Sequence, residues 1–287
     1  MSTSYGIFRS YLIWAGLKYL LFLATSKPLK MKKLIFLLLA AVLLQFTACD
    51  EQETRDYYQL KMYRIENAEQ ESIMDQYLEN AYIPALERAG IPNVGVFKPR
   101  EVDEGEQNYI MVLIPFSSLE EFEKLDSKLQ QDEAYKKAGQ DYIEAPHDAP
   151  PYERIESFLL RAFSATPRLS LPDHDSPNTS RVYELRSYES STELLHRRKV
   201  EMFNEGESAL FEKLGFQPVF FGKVLSSAHM PHLMYMTTFS DTTSREEHWD
   251  AFGKHPEWQE MKEIERYQNT VSNITRYMMY PTDYSDI

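Results

Sequence analysis

Tyr58-Gln59-Leu60-Lys61-Met62-Tyr63 returns 125 residues later as Tyr183-Glu184-Leu185-Arg186-Ser187-Tyr188. The offset holds downstream, where Ala85-Leu86-Glu87-Arg88-Ala89-Gly90-Ile91 meets Leu210-Phe211-Glu212-Lys213-Leu214-Gly215-Phe216. It then falls to 123: Pro115-Phe116-Ser117 meets Thr238-Phe239-Ser240, and Glu133-Ala134-Tyr135 meets Pro256-Glu257-Trp258. A repeat of this length sets the architecture, because each copy is one structural unit.

Hydrophobic periodicity gives each unit its elements. In the first copy, Tyr57 to Arg64 alternates as a strand, and a helix is predicted over 69–89 with Gly90 as its stop and a kink at Pro84. Strands follow at Val94–Lys98 and Tyr109–Pro115, then helices from Glu120 to about Lys128 and over Asp132–Asp141, then a strand at Arg154–Arg161. The second copy repeats the order: strand Val182–Tyr188, helix Glu193–Leu214, strands Pro218–Val224 and Leu233–Phe239, helices Ser244–Lys254 and Pro256–Asn269, strand Ser272–Tyr280. Each copy therefore reads βαββαβ, a ferredoxin-like split unit of the α+β class. Between them, residues 164–180 carry Pro167, Pro172 and Pro177 among Ser and Asp residues, the composition of a linker.

The N-terminus reads as an address. Met31-Lys32-Lys33 precedes an apolar run from Leu34 to Leu44, too short to span a bilayer and suited to a signal peptide. Phe46-Thr47-Ala48-Cys49 then resembles a bacterial lipobox, although Phe46 stands where Leu is usual. Cys49 is the only cysteine in the chain, so an internal disulfide and a cysteine-based zinc site are both excluded. The expectation is a lipoprotein signal over 31–48, a palmitate-bearing Cys49, and an acidic tether over 49–56. Asp50-Glu51-Gln52-Glu53 resembles the lipoprotein surface-export signal of Bacteroidota, with a plain solvated tether as the alternative. The implied location is the cell envelope, at the outer membrane and on its surface if that signal operates. Residues 1–30 read as an extension upstream of a true start at Met31; the alternative is a membrane helix over Tyr11–Ala24, interrupted by Lys18. The domains then run over 57–163 and 181–287.

The net charge is −13, and because the first 49 residues hold six basic and no acidic side chains, the rest of the chain stands at −19. That balance excludes nucleic-acid backbone binding, which needs basic patches. No glycine-rich phosphate loop and no Gly-x-Ser-x-Gly elbow occurs, which argues against classical nucleotide binding and serine hydrolysis.

Val182-Tyr183-Glu184-Leu185-Arg186-Ser187-Tyr188 together with Phe252-Gly253-Lys254-His255-Pro256-Glu257-Trp258 resembles the NIPSNAP family. The resemblance covers both halves, 57–160 and 181–287. It is weaker in the first, where Glu133-Ala134-Tyr135 replaces Pro-Glu-Trp and Lys61 replaces Arg186. It implies the dimeric α/β-barrel class, here with both units in one chain pairing as an intramolecular barrel that leaves no free sheet edge. It brings no established reaction, since related barrels include haem-dependent peroxidases, small cofactor-free monooxygenases and binding modules.

The candidate ligand-binding residues are Tyr183, Arg186, Tyr188, His248, Trp249, His255 and Trp258. A tryptophan offers a flat apolar wall and a histidine beside it could hold or move a proton, although the tryptophans suit plain core packing equally. Arg186 could meet an anion with its planar fork, or form a salt bridge across the sheet. Arg186 and Tyr188 share one face of their strand, and Tyr183 and Leu185 the other; if Leu185 faces the helices, Arg186 faces the barrel interior. His196-Arg197-Arg198-Lys199 spreads around its helix, which suggests a solvated face and one interdomain salt bridge. His229-Met230-Pro231-His232 reads as an exposed hairpin loop, not a metal site. No metal and no cofactor is predicted, and nothing in the residues supports a haem. The functional expectation is a small-ligand-binding or accessory module of the envelope, taking an apolar or aromatic ligand or an envelope protein partner. The competing expectation is an oxygenase or isomerase-type enzyme of the same barrel class. Any pocket is expected in the second copy.

Overall fold

The computed structural model describes residues 54–102 and 107–287. Cys49, the signal over 31–48 and the segment 1–30 lie outside the described residues. Residues 54–287 form one compact unit.

Eight strands close into an antiparallel barrel: β1 (Tyr57–Ile65), β2 (Gly95–Pro99), β3 (Asn108–Phe116), β4 (Arg154–Ala162), β5 (Val182–Glu189), β6 (Gln217–Ser226), β7 (His232–Phe239) and β8 (Asn273–Pro281). Around the barrel they run β1-β3-β2-β8-β5-β7-β6-β4. Each copy contributes a four-stranded ferredoxin-like sheet, and two junctions join them. At one, Phe97 faces Pro281 and Pro99 faces Met279; at the other, Leu160 faces Val224 and Ala162 faces Gly222. The second strand of each copy thus meets the fourth strand of the other, so the chain is its own dimer and neither sheet keeps an open edge.

Strand alternation splits the apolar residues into three cores. Tyr58, Leu60, Met111, Leu113, Leu160, Tyr183, Leu185, Phe220, Met236 and Met279 point inward and fill the barrel. The outward faces bury helices, against Tyr63, Val112 and Ile114 in the first copy and against Tyr188, Phe221 and Tyr235 in the second. Each large apolar side chain so buried contributes roughly 1.5–3 kcal/mol.

The long helix of each copy starts at a side-chain cap: Asn67 accepts the amide of Gln70 ahead of α1 (Ala68–Tyr77), and Thr192 that of Leu195 ahead of α6 (Glu193–Met202). Each then passes through a π turn, Leu78–Tyr82 and Phe203–Glu207, into α2 (Ile83–Arg88) and α7 (Ser208–Lys213). The two π turns lie 125 residues apart, at the repeat offset. Pro84 was expected to disturb the helix, but its counterpart Ala209 follows the same π turn, so the irregularity belongs to the fold and not to the proline. Both helices end as read from sequence, with Gly90 at φ +86 and Gly215 at φ +77.

In the first copy α3 (Leu119–Gln131), α4 (Glu133–Ala138) and α5 (Gln140–Ile143) follow β3; in the second α8 (Thr242–Lys254) and α9 (Pro256–Glu263) follow β7. The helix expected over 256–269 stops at Glu263, where Ile264 turns extended (φ −63, ψ 117), and a short 3-10 turn, Glu265–Tyr267, leads toward β8. Residues 164–180 are tied down: Arg168 pairs with Asp56 at 2.6 Å, and the Ser170 amide donates to the Val219 carbonyl.

Candidate functional site

β5 decides the site. Its inner residues, Tyr183 and Leu185, belong to the barrel core, so Glu184, Arg186 and Tyr188 face the helices. This corrects the orientation considered from sequence, in which Leu185 met the helices: the barrel interior is the apolar compartment and takes the leucine.

The Glu184 carboxylate, fully buried, accepts four hydrogen bonds. Oε1 takes Nε of Arg186 at 2.7 Å and Nη2 of Arg245 at 2.9 Å; Oε2 takes Nε of Arg245 at 2.8 Å and Nε1 of Trp249 at 2.7 Å. Arg245 and Trp249 lie four apart on α8 and therefore share a face. Burial alone would raise the Glu184 carboxyl, but the hydrogen bonds of Arg245 and the charges of Arg186 and Arg245 hold it below its ordinary range. The Arg186 guanidinium stacks on Trp249, its carbon 3.5 Å from the ring centroid. Its Nη1 donates to the Tyr188 hydroxyl at 3.3 Å, and that hydroxyl is 2.8 Å from the hydroxyl of Tyr235.

A second ion pair stands across from this one. Lys199 of α6 donates to Oε2 of Glu207 at 2.6 Å, and both side chains are buried. Eight residues of straight helix span about 12 Å, too far for this contact at full helical geometry. The chain instead leaves helical dihedrals at Gly206 (φ 177, ψ −35), inside the π turn, and bends there. The Lys199 ammonium also sits 4.7 Å from the Phe203 ring centroid and 5.5 Å from that of Trp258. Burial pushes the Glu207 carboxyl up, and Lys199 offsets this only in part.

Between the two ion pairs lies a cavity of about 730 Å³, lined among others by Arg186, Tyr188, Lys199, Glu207, Trp249 and Trp258. That volume falls in the range of small-molecule sites. Of the sequence candidates, Arg186, Tyr188, Trp249 and Trp258 converge here. Tyr183 does not; it packs inside the barrel against Phe97, ring centroids 4.8 Å apart. His248 lies edge-on to Phe216 and Phe239, with Nδ1 2.6 Å from the Ser244 carbonyl. His255 caps α9, its Nδ1 accepting the Glu257 amide at 3.3 Å. Among the described residues no histidine lines the cavity, so a haem there would lack an imidazole ligand from them. Among the described residues no group of three or more His, Cys, Asp or Glu is placed to hold a metal.

Two further expectations are corrected. Lys199 belongs to no solvated face and no interdomain bridge; it is paired inside its own domain. His232 is not a loop residue: it opens β7, is buried, and bridges Ser187 Oγ (2.8 Å) and Ser227 Oγ (2.7 Å).

The sequence reading missed Glu184, Lys199, Glu207 and Arg245, although the repeat marks them. At the equivalent positions the first copy has Gln59, Met74, Tyr82 and Phe122. The register confirms the alignment, since Lys61 faces Val112 as Arg186 faces Tyr235. The first copy fills the corresponding space with tyrosines. Tyr77 stacks on Tyr142 at 3.6 Å and on Tyr82 at 5.5 Å, its hydroxyl meets that of Tyr135 at 2.9 Å, and Lys61 donates to Tyr82 at 3.1 Å.

The family model of NIPSNAP matches the chain twice, over residues 58–167 and 183–286. The chain belongs to the NIPSNAP family. No curated protein is similar enough to match this NIPSNAP chain. Among solved structures, a provisionally assigned monooxygenase of Fusobacterium nucleatum subsp. nucleatum ATCC 25586 aligns with TM-score 0.54 at 9% identity, over 79% of this chain and 93% of that one. Another provisionally assigned monooxygenase, from Lactobacillus acidophilus NCFM, aligns with TM-score 0.52 at 10% identity, over 79% and 94%. A NIPSNAP family protein of Agrobacterium tumefaciens strain C58 aligns at 16% identity over 42% of this chain and 98% of that one, with TM-score 0.32. At these identities the first two show the fold alone: a dimeric α/β barrel, here closed within one chain.

Proposed function

We propose that this NIPSNAP protein is an envelope lipoprotein that binds a small ligand in the cavity of its second copy, while the first copy completes the barrel. The observation that carries the reading is the contrast between the copies. Burying two ion pairs costs stability compared with well-packed apolar residues. The first copy builds the same helix-on-sheet layer with Gln59, Met74, Tyr82 and Phe122 at those places. The scaffold therefore does not require the charges, and a ligand is the reason to keep them.

Anchoring rests on Cys49 and the segment ahead of it. Diacyl attachment at Cys49 holds the chain on a membrane, each buried methylene contributing about 0.8 kcal/mol. Among the described residues no helix is long and apolar enough to cross a membrane. The competing reading is an oxygenase or isomerase-type enzyme, favoured by Glu207, a buried carboxyl raised by burial at the cavity wall.

The test is purification of the wild-type protein from membranes, followed by mass spectrometry of extracted small molecules and a visible absorption scan. A stoichiometric organic compound, absent from Trp258→Ala, supports the binding reading; turnover of that compound moves the assignment to the enzyme. A cavity that never retains a compound argues against both. For the anchor, Cys49→Ser is expected to abolish labelled-palmitate incorporation, and equal labelling would contradict it.

A further inference from the structure

We infer that the cavity takes an organic anion: one negative group seated between Arg186 and Lys199, and an apolar body against Trp258. This inference rests on the cavity being a binding site and adds the chemical class of its ligand.

The argument is one of charge and of donors. Three cations converge on the site, Arg186, Lys199 and Arg245, against two carboxylates, Glu184 and Glu207. The remaining charged residues of the lining, Lys262 and Glu263, stand exposed at the rim and cancel. The four buried groups balance, but Arg245, a fifth exposed and outside the lining, takes two of the four acceptor positions of Glu184, so Arg186 shares its only carboxylate with a second guanidinium. A buried guanidinium that shares its carboxylate gains from a second anion at its free edge.

The hydrogen bonds locate the free edge. Glu184 has all its acceptor positions taken by Arg186, Arg245 and Trp249. Arg186 has five N–H bonds. Nε goes to Glu184 and one Nη1 proton to Tyr188, which leaves three without a protein acceptor at the cavity wall. Lys199 spends one proton on Glu207 and a weak one on the Met202 sulfur. A planar fork and an ammonium with donors to spare are the groups that hold a carboxylate.

An inorganic ion would satisfy the charge and leave the aromatic wall unused. Trp258 packs on Phe252 with ring centroids 4.7 Å apart and lines the cavity beside the Lys199 ammonium. A site of about 730 Å³ with that wall suits an anionic group carried on an apolar body. Selection by charge also follows the repeat. In the first copy the position of Lys199 is held by Met74 and that of Arg186 by Lys61, which donates to Tyr82 among packed tyrosines.

The test uses the full chain in detergent micelles and three probes, followed by calorimetry and tryptophan fluorescence: 2-naphthoate, its neutral analogue 2-naphthamide, and inorganic phosphate. The naphthoate is expected to bind at least about tenfold more tightly than the amide, because charge-assisted hydrogen bonds are roughly twice as strong as neutral ones. Phosphate is expected not to compete at millimolar concentration. Arg186→Gln and Lys199→Met should each shrink the preference to about threefold or less, with an unchanged circular dichroism spectrum and a cooperative melt reporting an intact fold. Equal binding of naphthoate and amide to the wild type would leave the pocket standing and overturn the anion. Phosphate competing as well as naphthoate would overturn the apolar body. Failure of all three probes to bind would count against the pocket itself and, with it, this inference.

Discussion

Lys199 and Glu207 carry the sharpest consequence of a single side chain. Their ion pair is buried, so removing one partner leaves a charge without compensation. Lys199→Met should destabilise the protein by about 3 kcal/mol, the cost of breaking a buried pair, and Glu207, already raised by burial, would take up a proton. Lys199→Met with Glu207→Gln should recover most of that loss. Urea unfolding of both variants checks it; a double variant no more stable than the single one would contradict the pairing. Two histidines add to the acid sensitivity of the chain. Burial lowers His196 to about 4, helped by Lys223, His232 and Arg197. Burial also lowers His232 to about 4, against Glu189 and with His229. Both rings are folded in their neutral form and below the unfolded histidine range near 6.5. Their contribution to stability is present above that value and is lost as pH falls from it through about 4. His196→Leu should flatten the stability profile between those limits, and an unchanged slope in denaturant titrations at stepped pH would refute the assignment. The sequence did not mark either ring as buried: both sit beside charged or loop-forming neighbours, and burial is a property of the packed helix and strand.

At the scale of elements, helix ends are set by local chemistry. Gly90 closes α2 at φ +86, and a Cβ there would meet nothing within 4 Å. The cost of Gly90→Ala is therefore conformational alone, about 1 kcal/mol, and Gly90→Asn should cost less because asparagine tolerates that region. Thermal melts of the pair test this, and equal losses would mean that contact and not dihedral strain decides. Such ends were legible in sequence, as were the strands, because they depend on spacing within a few residues. The π turns were not, since no aligned position in them holds the same residue: Leu78-Glu79-Asn80-Ala81-Tyr82 and Phe203-Asn204-Glu205-Gly206-Glu207 occupy the same place. The Lys199–Glu207 contact was hidden for the same reason. A spacing of eight has no meaning on a regular helix, and it acquires one only through the bend at Gly206.

At the scale of the whole molecule, the repeat predicts two units, and closure follows from the exchange of second and fourth strands between them. What periodicity could not supply was the sense of β5, because Leu185 and Tyr188 are both apolar enough for either side. That sense is fixed by the opposite strands of the barrel, whose inner residues form an apolar core that offers a guanidinium no partner. The candidate site was half legible on this account: Arg186, Tyr188 and Trp258 could be named from the family-like motifs and Trp249 from the neighbouring His248-Trp249 pair, while Glu184, Lys199, Glu207 and Arg245 emerge only when each copy is set against the other in space. The duplication leaves one copy free to keep the barrel together and the other to carry charge. The most direct measurement is therefore an exchange. Glu184→Gln, Arg186→Lys, Lys199→Met, Glu207→Tyr and Arg245→Phe together give the second copy the residues of the first. The account predicts a folded protein about as stable as wild type, because buried ion pairs give way to packed side chains and the lysine of Arg186→Lys meets the hydroxyl of Glu207→Tyr as Lys61 meets Tyr82, and one from which native mass spectrometry detects no retained ligand. A variant that keeps the wild-type ligand at the same occupancy, or that fails to fold, would contradict it.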